Sequence, residues 1–346
     1  MKIDMGAVGT GHLPRLKASR AKAPERASHS AVAEFKSNQI LPHPARRAIL
    51  ALMNETILLT NDEGESADID SFGAELMAWR ASGVDLVWAK DPKVWDQSAP
   101  ILFPVVGWTR DGTARVDGKT YPLSLHGFAW KKQFAVAEQR RDFLRLELAA
   151  DEETRALYPF EFRLTVEFRL LPGGLENALI VTNSGGTPLP YACGLHPAIR
   201  WPFGGSAAPH AIVFEKPERP EVPIIAPGGL ISRRARPVPL EGRVLPLTPE
   251  LLANDALVFL NANSKSLAFD NGAGARLVVE LEDFPHIAFW SLPPAPYLCI
   301  EPWTGHGDPE DFFGELAEKP SMRLLPPGES ARHSVTFRFE RTGETA

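Results

Sequence analysis

Apolar and polar residues alternate with a period of two over residues 160–170. The apolar positions of this stretch are Phe160, Phe162, Leu164, Val166, Phe168 and Leu170. Such alternation predicts a β-strand with one buried and one solvated face. Residues 171–174 (LPGG) and 183–186 (NSGG) are typical of turns, and residues 179–181 lie between them as a second strand. With a third strand running toward His196, the pattern predicts an antiparallel meander.

Strand-like patterns recur along most of the chain, and helical patterns are few. The further strand-like runs are residues 143–149, 276–281, 286–291, 297–301 and 333–339. Residues 248–252 (TPELL) predict a short helix with Pro in its first turn, and residues 308–318 predict another. The 32 prolines and 27 glycines are spread through the chain, as expected for many short strands joined by turns. We therefore predict an all-β fold, a large antiparallel β-sandwich.

The first 48 residues differ from the rest of the chain. Basic residues are scattered there among Ala, Ser, Pro and Gly without hydrophobic periodicity, which predicts a disordered leader. No internal repeat or linker divides the strand-rich remainder. We expect residues 49–346 to form a single domain.

Composition and charge narrow the class of protein. The chain is 44% hydrophobic and 23% charged, which is ordinary for a globular protein, and its net charge of -6 disfavours a broad nucleic-acid surface. No run of 18 apolar residues predicts a membrane span, and no apolar signal-peptide core is present, so we expect a cytoplasmic protein. Cys193 and Cys299 lack the spacing of zinc ligands and are expected to pack as small apolar residues.

Glu301 is the strongest candidate for chemistry. It lies in residues 299–305 (CIEPWTG), after an apolar strand-like segment and before a Pro-Trp pair that predicts a turn. Burial at a strand end raises the pKa of a carboxyl group, and a neighbouring Trp offers a flat apolar surface for a sugar ring. A solvated surface glutamate is the alternative.

His126 and His196 occupy similar settings, in residues 125–129 (LHGFA) and 194–198 (GLHPA). Together with Glu301 they would form a 2-His-1-carboxylate metal site, but the usual short spacing between ligands is missing, so no metal is expected. General acid-base chemistry needs no such spacing. A structural role remains the alternative for each His. Motifs for a nucleophilic serine or a phosphate-binding loop are absent from the sequence.

Four segments in order give the chain a family resemblance. They are residues 99–107 (APILFPVVG), 125–129, 194–198 and 299–305, with weaker likenesses at residues 71–76 (SFGAEL), 254–257 (NDAL) and 289–291 (FWS). Over about residues 53–340 the chain resembles the aldose 1-epimerase (galactose mutarotase-like) superfamily, especially its shorter bacterial branch.

The resemblance implies a galactose mutarotase-like supersandwich with a sugar site on a concave sheet. It also implies interconversion of the α and β anomers of a hexose, with no cofactor or metal. In this interpretation Glu301 is the general base, His196 the general acid and His126 a sugar ligand. The expected partner is a small-molecule sugar, with no nucleic acid and no membrane, and the expected state is a monomer or homodimer.

Four further residues are predicted to bind the substrate. Trp290 and Trp303 would stack on the sugar, with core packing as the alternative, and Asp255 would bond a hydroxyl unless it is a turn residue. Many relatives carry an Arg directly after residues 104–107, where this chain has Trp108. Arg110 would share a face with Trp108 if the segment is extended, and would then supply the cationic contact.

Three other functions remain open at this stage. A hexose-6-phosphate 1-epimerase would need a cationic patch from residues such as Arg110, Arg200 and Lys131. A non-catalytic carbohydrate-binding or regulatory protein on the same fold is the second possibility, because fold does not fix function. A metal-dependent β-sandwich enzyme is the third. The presence of both His196 and Glu301 favours catalysis.

Overall fold

A computed structural model describes residues 56–341 of the chain. The predicted leader, residues 1–48, and the predicted domain start at residue 49 lie outside them. The strands, numbered in chain order, are β1 Thr56–Thr60, β2 Ser66–Asp70, β3 Glu75–Ala81, β4 Val84–Asp85, β5 Ile101–Leu102, β6 Thr113–Val116, β7 Lys119–Pro122, β8 Ala135–Gln139, β9 Phe143–Ala149, β10 Phe162–Leu171, β11 Gly174–Asn183, β12 Leu189–Tyr191, β13 Gly194–Leu195, β14 Ala198–Arg200, β15 Ala211–Phe214, β16 Glu221–Ala226, β17 Leu230–Pro237, β18 Val244–Pro246, β19 Leu257–Phe259, β20 Ser266–Asp270, β21 Ala275–Glu282, β22 His286–Trp290, β23 Tyr297–Trp303, β24 Arg323–Leu325 and β25 Ser330–Arg341.

Two antiparallel sheets organise these strands. The larger has the order β18-β15-β20-β21-β25-β11-β10-β9-β8, and the second has the order β19-β22-β23-β13-β5, with β14 also paired to β23. A four-stranded sheet, β1-β2-β3-β4, and the pairs β12-β24, β16-β17 and β6-β7 complete the set. One contiguous apolar core contains Leu164 and Leu277 from the first sheet and Leu298 and Ile300 from the second. The all-β, antiparallel prediction is confirmed.

The clearest sequence pattern forms a strand in the larger sheet. Strand β10 buries Phe162, Leu164, Val166, Phe168 and Leu170, and it pairs with β11 over its full length. The predicted third meander strand is wrong, because β11 pairs next with β25 and β12 pairs instead with β24. Pro188, just before β12, and Pro190, within it, lack the N–H groups that a continuous ladder with β11 requires, and long-range packing places β25 beside β11 instead.

Strand β23 lies between β22 and β13 in the second sheet and is buried along its whole length. Its residues alternate between two environments. Leu298 and Ile300 join the main core, whereas Glu301 and Trp303 line a cavity. The turn predicted directly after Glu301 is therefore wrong, since the strand continues through Pro302 and Trp303.

Helices are short and few in the described residues. The predicted helix α2, Pro249–Leu252, is present, and the Thr248 side chain accepts the Leu251 N–H at its start. The helix α1, Glu152–Leu157, begins with a capping box that the sequence analysis missed. Residues 308–318 form no α-helix but only a 3-10 turn, Leu316–Glu318, because the Asp308 carboxylate binds other segments instead of capping a helix. Within residues 56–341, no helix has the length and hydropathy that a membrane crossing requires.

Candidate active site

A cavity of about 260 Å³ opens on the face of the second sheet that carries Glu301. Six of the residues predicted from sequence line it, namely His126, His196, Asp255, Trp290, Glu301 and Trp303. The sequence reasoning missed Trp95 and Gln97, which line the same cavity, and it treated Trp108, a third lining residue, only as a departure from the family pattern.

The backbone of the second sheet brings His196 beside Glu301. Strands β13 and β14 both pair with β23, and His196 and Pro197 fill the gap between them. The Pro197 carbonyl accepts the Ile300 N–H at 3.2 Å, which fixes this gap against β23. Nε2 of His196 then lies 3.1 Å from Oε2 of Glu301, with both side chains buried.

Burial changes the pKa of both members of this pair. The pKa of Glu301 is raised well above its usual range by loss of hydration, with a small addition from the charge of Asp255 and an opposing effect of the Trp303 indole. Loss of hydration also lowers the pKa of His196 to about 4. Each shift favours the neutral form of its group. Burial therefore favours a neutral carboxyl group beside a neutral imidazole.

A strained turn holds His126 in the cavity wall. His126 has a φ of 58° and is followed by Gly127 with a φ of 70°. The Gly107 N–H donates to Nδ1 of His126 at 3.1 Å, and the His126 N–H donates to the Gly107 carbonyl at 3.0 Å. The pKa of His126 is lowered, mainly by burial and further by the charge of His196. The imidazole is thus neutral, with its proton on Nε2.

Tryptophans lie around His196 and Glu301. The His196 ring centroid lies 5.3 Å from that of Trp95 and 5.6 Å from that of Trp290. Nε1 of Trp303 is buried and makes no well-aligned hydrogen bond among the described residues, but the indole is close enough to Glu301 to oppose the rise in the pKa of that carboxyl group. A sequence signal for Trp95 existed, because this large aromatic residue stands in the polar stretch 91–98 (DPKVWDQS), where core packing is not expected.

Arg110 was predicted to bind the substrate, but it does not line the cavity. Its Nε donates to the Phe312 carbonyl at 3.0 Å, and its guanidinium lies 4.3 Å from the centre of the Phe313 ring. The extended backbone assumed from sequence is replaced by a 3-10 turn, with Asp111 at a φ of 54°. This turn carries Arg110 away from Trp108.

The other proposed cations also lie elsewhere. Nε of Arg200 donates to the Val87 carbonyl at 3.2 Å, and Nζ of Lys131 lies 4.0 Å from the centre of the Trp130 ring. No Lys or Arg is found among the described residues that line the cavity. The phosphate-binding patch considered from sequence therefore does not assemble here.

Within residues 56–341, one group of side chains has the spacing of metal ligands. His196, Cys299 and Glu301 each offer one atom, and these atoms lie within 4.8 Å of one another. His126, which the sequence placed in the metal alternative, is not part of this group. Burial raises the pKa of the Cys299 thiol well above its usual range, and the Glu301 charge adds to the effect. A thiolate ligand is therefore disfavoured, and the absence of a metal remains a prediction.

Several known proteins are similar to this chain in sequence or in fold. The chain is 27% identical to the plasmid-encoded protein LacX of Lactococcus lactis over 292 residues, which span 81% of this chain and 97% of LacX. It is similar to a galactose mutarotase-like protein from Lactobacillus casei, with 28% identity, a TM-score of 0.77 and coverage of 83% of this chain and 100% of that structure. A galactose mutarotase related enzyme from Lactobacillus acidophilus shares 26% identity with a TM-score of 0.76, over 84% and 100% of the two chains.

A more distant structure, galactose 1-epimerase from Lactobacillus acidophilus, shares the fold with a TM-score of 0.64 at 14% identity, over 83% of this chain and 94% of that one. The sequence profile of the family described as aldose 1-epimerase matches residues 55–338. This match covers most of the chain and supports a mutarotase-type function. The chain belongs to the aldose 1-epimerase family.

Proposed function

We propose that this protein interconverts the α and β anomers of an unphosphorylated hexose, with Glu301 as general base and His196 as general acid. The observation that carries the proposal is the 3.1 Å contact between the two groups in a cavity lined by tryptophans. Mutarotation exchanges protons at two oxygens that are bonded to the same carbon. A base and an acid in direct contact match that requirement.

The proposed reaction opens and recloses the sugar ring. Glu301 accepts the proton of the anomeric hydroxyl while His196 donates a proton to the ring oxygen, and the bond between C1 and the ring oxygen breaks. Rotation about the C1–C2 bond presents the other face of the aldehyde. The ring oxygen then attacks C1, returning its proton to His196, and the new anomeric oxygen takes the proton back from Glu301.

This chemistry starts from an ionised Glu301 and a protonated His196, whereas burial favours the neutral pair. A proton moved from Oε2 of Glu301 to Nε2 of His196 converts one form into the other without any exchange with solvent. Sugar hydroxyls that donate to the carboxylate stabilise its charged form. Substrate binding itself therefore creates the reactive state.

The charge of the cavity supports a neutral substrate. Its described lining residues include two carboxylates, Asp255 and Glu301, and no Lys or Arg. Phosphate esters are bound by convergent cationic or backbone N–H donors. The hexose-6-phosphate alternative therefore has no observation in its favour.

The test is anomer exchange followed by polarimetry or NMR on a panel of free and 6-phosphorylated hexoses. We expect the protein to accelerate exchange of at least one free hexose. Glu301→Gln should lower kcat by about 10²- to 10⁴-fold, the usual contribution of a general base, while it still binds the sugar. Glu241→Gln, at an exposed position outside the cavity, is the matched control and should retain full activity. Sugar binding without acceleration by the unaltered protein would instead indicate a carbohydrate-binding protein.

A further inference from the structure

We infer that Asp308 and Lys319, a buried ion pair behind the cavity wall, are positioning residues for sugar binding and that they act through His126. The inference rests on the proposed function, because it gives the two residues a part in binding the same sugar. Neither residue lines the cavity, so neither would touch the substrate.

Asp308 joins three segments of the cavity wall. Its N–H donates to the Trp108 carbonyl at 2.8 Å, and its carbonyl accepts the Ile231 N–H at 2.9 Å. Oδ2 of its carboxylate accepts the backbone N–H of Arg110 at 2.8 Å. Trp108, Ile231 and Gly307, the residue before Asp308, all line the cavity. A displacement of Asp308 would therefore reach the wall through its backbone and its side chain.

Lys319 holds the other carboxylate oxygen. Nζ of Lys319 lies 2.9 Å from Oδ1 of Asp308, and the two side chains are 0% and 7% exposed. Burial lowers the pKa of Lys319, and the charge of Asp308 opposes this shift. Without the ammonium group the carboxylate would be a buried charge with no ionic partner, which is strongly unfavourable. The ion pair thus keeps the carboxylate charged and turned toward the Arg110 N–H.

A buried ion pair is not explained by stability alone. The cost of removing both charges from water offsets much of their attraction, and well-packed apolar residues of similar volume often stabilise a fold equally well. Charged partners differ from apolar ones in that they fix direction as well as distance. The direction that is fixed here belongs to a residue on which three wall segments converge, so the wall geometry is what the pair provides.

The path from this pair to His126 is short. Gly107, the residue before Trp108, donates its N–H to Nδ1 of His126 at 3.1 Å, and its carbonyl accepts the His126 N–H at 3.0 Å. A Cβ atom on Gly107 would lie 2.6 Å from the backbone nitrogen of Gly307, so the two glycine backbones are in contact. Movement of Asp308 would therefore shift Gly107 and the imidazole that it orients.

The first experiment replaces Lys319 by a neutral residue of similar length, using the full chain. Lys319→Met should raise KM for the best free hexose by about 3- to 10-fold, the range of one weakened hydrogen bond, and should change kcat by less than about 2-fold. Polarimetric initial rates over a range of sugar concentrations give both constants. An unchanged KM in a folded variant would overturn the inference.

A double-mutant cycle tests whether the effect passes through His126. Residues that act through one contact give non-additive effects, whereas independent residues give additive ones. In a protein that already carries His126→Ala, Lys319→Met should therefore raise KM by less than about 2-fold. The same rise in both backgrounds would show that Lys319 does not act through His126.

Two further variants separate position from stability. Lys319→Met combined with Asp308→Asn leaves no unpaired buried charge, so it should unfold in urea close to the unaltered protein while KM stays raised. Val279→Ala removes buried apolar volume from the larger sheet, where Val279 is 0% exposed, and should lower stability with KM unchanged. A normal KM in the first variant, or a raised KM in the second, would contradict a positioning role.

NMR of the imidazole nitrogens gives a readout that does not depend on turnover. In the unaltered protein Nδ1 of His126 should have the chemical shift of an unprotonated nitrogen that accepts a hydrogen bond, and Lys319→Met should move this signal. The double variant replaces Lys319→Met if the latter does not fold. Unchanged His126 signals would overturn the inference, whereas a shifted signal in a protein that mutarotates no sugar would support it while the proposed function fails.

Discussion

The backbone N–H of Gly107 donates to Nδ1 of His126 at 3.1 Å, and this bond fixes the tautomer of the imidazole. Because Nδ1 is the acceptor, the proton of the neutral ring is on Nε2. The ring centroid of His126 lies 5.5 Å from that of His196, and both residues line the cavity. Under the proposed function, His126 is therefore placed to donate a hydrogen bond to the bound sugar.

This geometry predicts that His126 acts mainly in binding. His126→Ala should raise KM by about 10-fold, the value of one lost hydrogen bond with its desolvated partner, and should lower kcat much less. Polarimetric initial rates over a range of hexose concentrations measure both constants. A fall in kcat as deep as that of Glu301→Gln, with KM unchanged, would assign His126 to the proton transfers instead.

The glycine after His126 should be far less replaceable than other glycines of the same conformation. Gly127 and Gly118 have φ values of 70° and 72°. A Cβ atom on Gly127 would overlap the Phe103 carbonyl oxygen and lie 2.6 Å from its carbon, whereas nothing lies within 4 Å of a Cβ atom on Gly118. Backbone strain alone costs about 1 to 2 kcal/mol, so Gly118→Ala should lose that amount and Gly127→Ala about 2 kcal/mol more.

Urea unfolding of the two glycine variants measures this difference. Gly127→Ala should also reduce activity, since it displaces His126, while Gly118→Ala should be fully active. Equal losses of stability would show that conformation, rather than the close approach of the Phe103 carbonyl, explains the glycine at position 127.

Buried histidines predict a loss of stability in weak acid. Burial lowers the pKa of His286 to about 3 and that of His306 to about 4. Below the unfolded pKa of about 6.5 the unfolded chain binds protons that the native protein does not, so the free energy of unfolding falls as the pH is lowered. His196 acts in the same direction, but the raised pKa of Glu301 acts oppositely above about pH 4.5, so that pair largely cancels.

The measurement is the free energy of unfolding in urea from pH 7.5 to pH 4.5. Each uncompensated histidine contributes up to about 1.4 kcal/mol per pH unit below its unfolded pKa. His286→Gln should therefore flatten the profile between pH 6 and pH 4.5 by about that slope. A profile identical to that of the unaltered protein would show that His286 is protonated in the native state.

Local patterns in the sequence were sufficient to predict those strands and site residues whose environment follows from their own segment. The alternation of residues 160–170 gave β10, and the run 143–149 coincides with β9, Phe143–Ala149. Glu301 stood out because a charged residue follows an apolar strand-like run, and the structure places it inside the buried strand β23. His126 and His196 came from short motifs with glycine or proline neighbours, and both line the cavity with Glu301.

Errors arose where a segment depends on distant partners. The sequence made residues 308–318 a helix and Arg110 a cavity residue, yet the two segments bind each other, through the Asp308 carboxylate and the carbonyls of Glu310 and Phe312. No periodicity within either segment encodes that contact. The prediction of a third meander strand was wrong for the same reason, because strand pairing beyond a hairpin is decided by long-range packing.

By itself, the sequence determined the all-β class, the family resemblance and the identity of the acid-base candidates, since each depends on residue type and local pattern. Only the tertiary structure decided the 3.1 Å contact of the buried Glu301 with His196. It also decided that the exposed Trp108 lines the same cavity. Those features depend on side chains from separate strands and loops meeting in one cavity. Hydration, and with it the pKa of each group, is set by that assembly and not by neighbours along the chain.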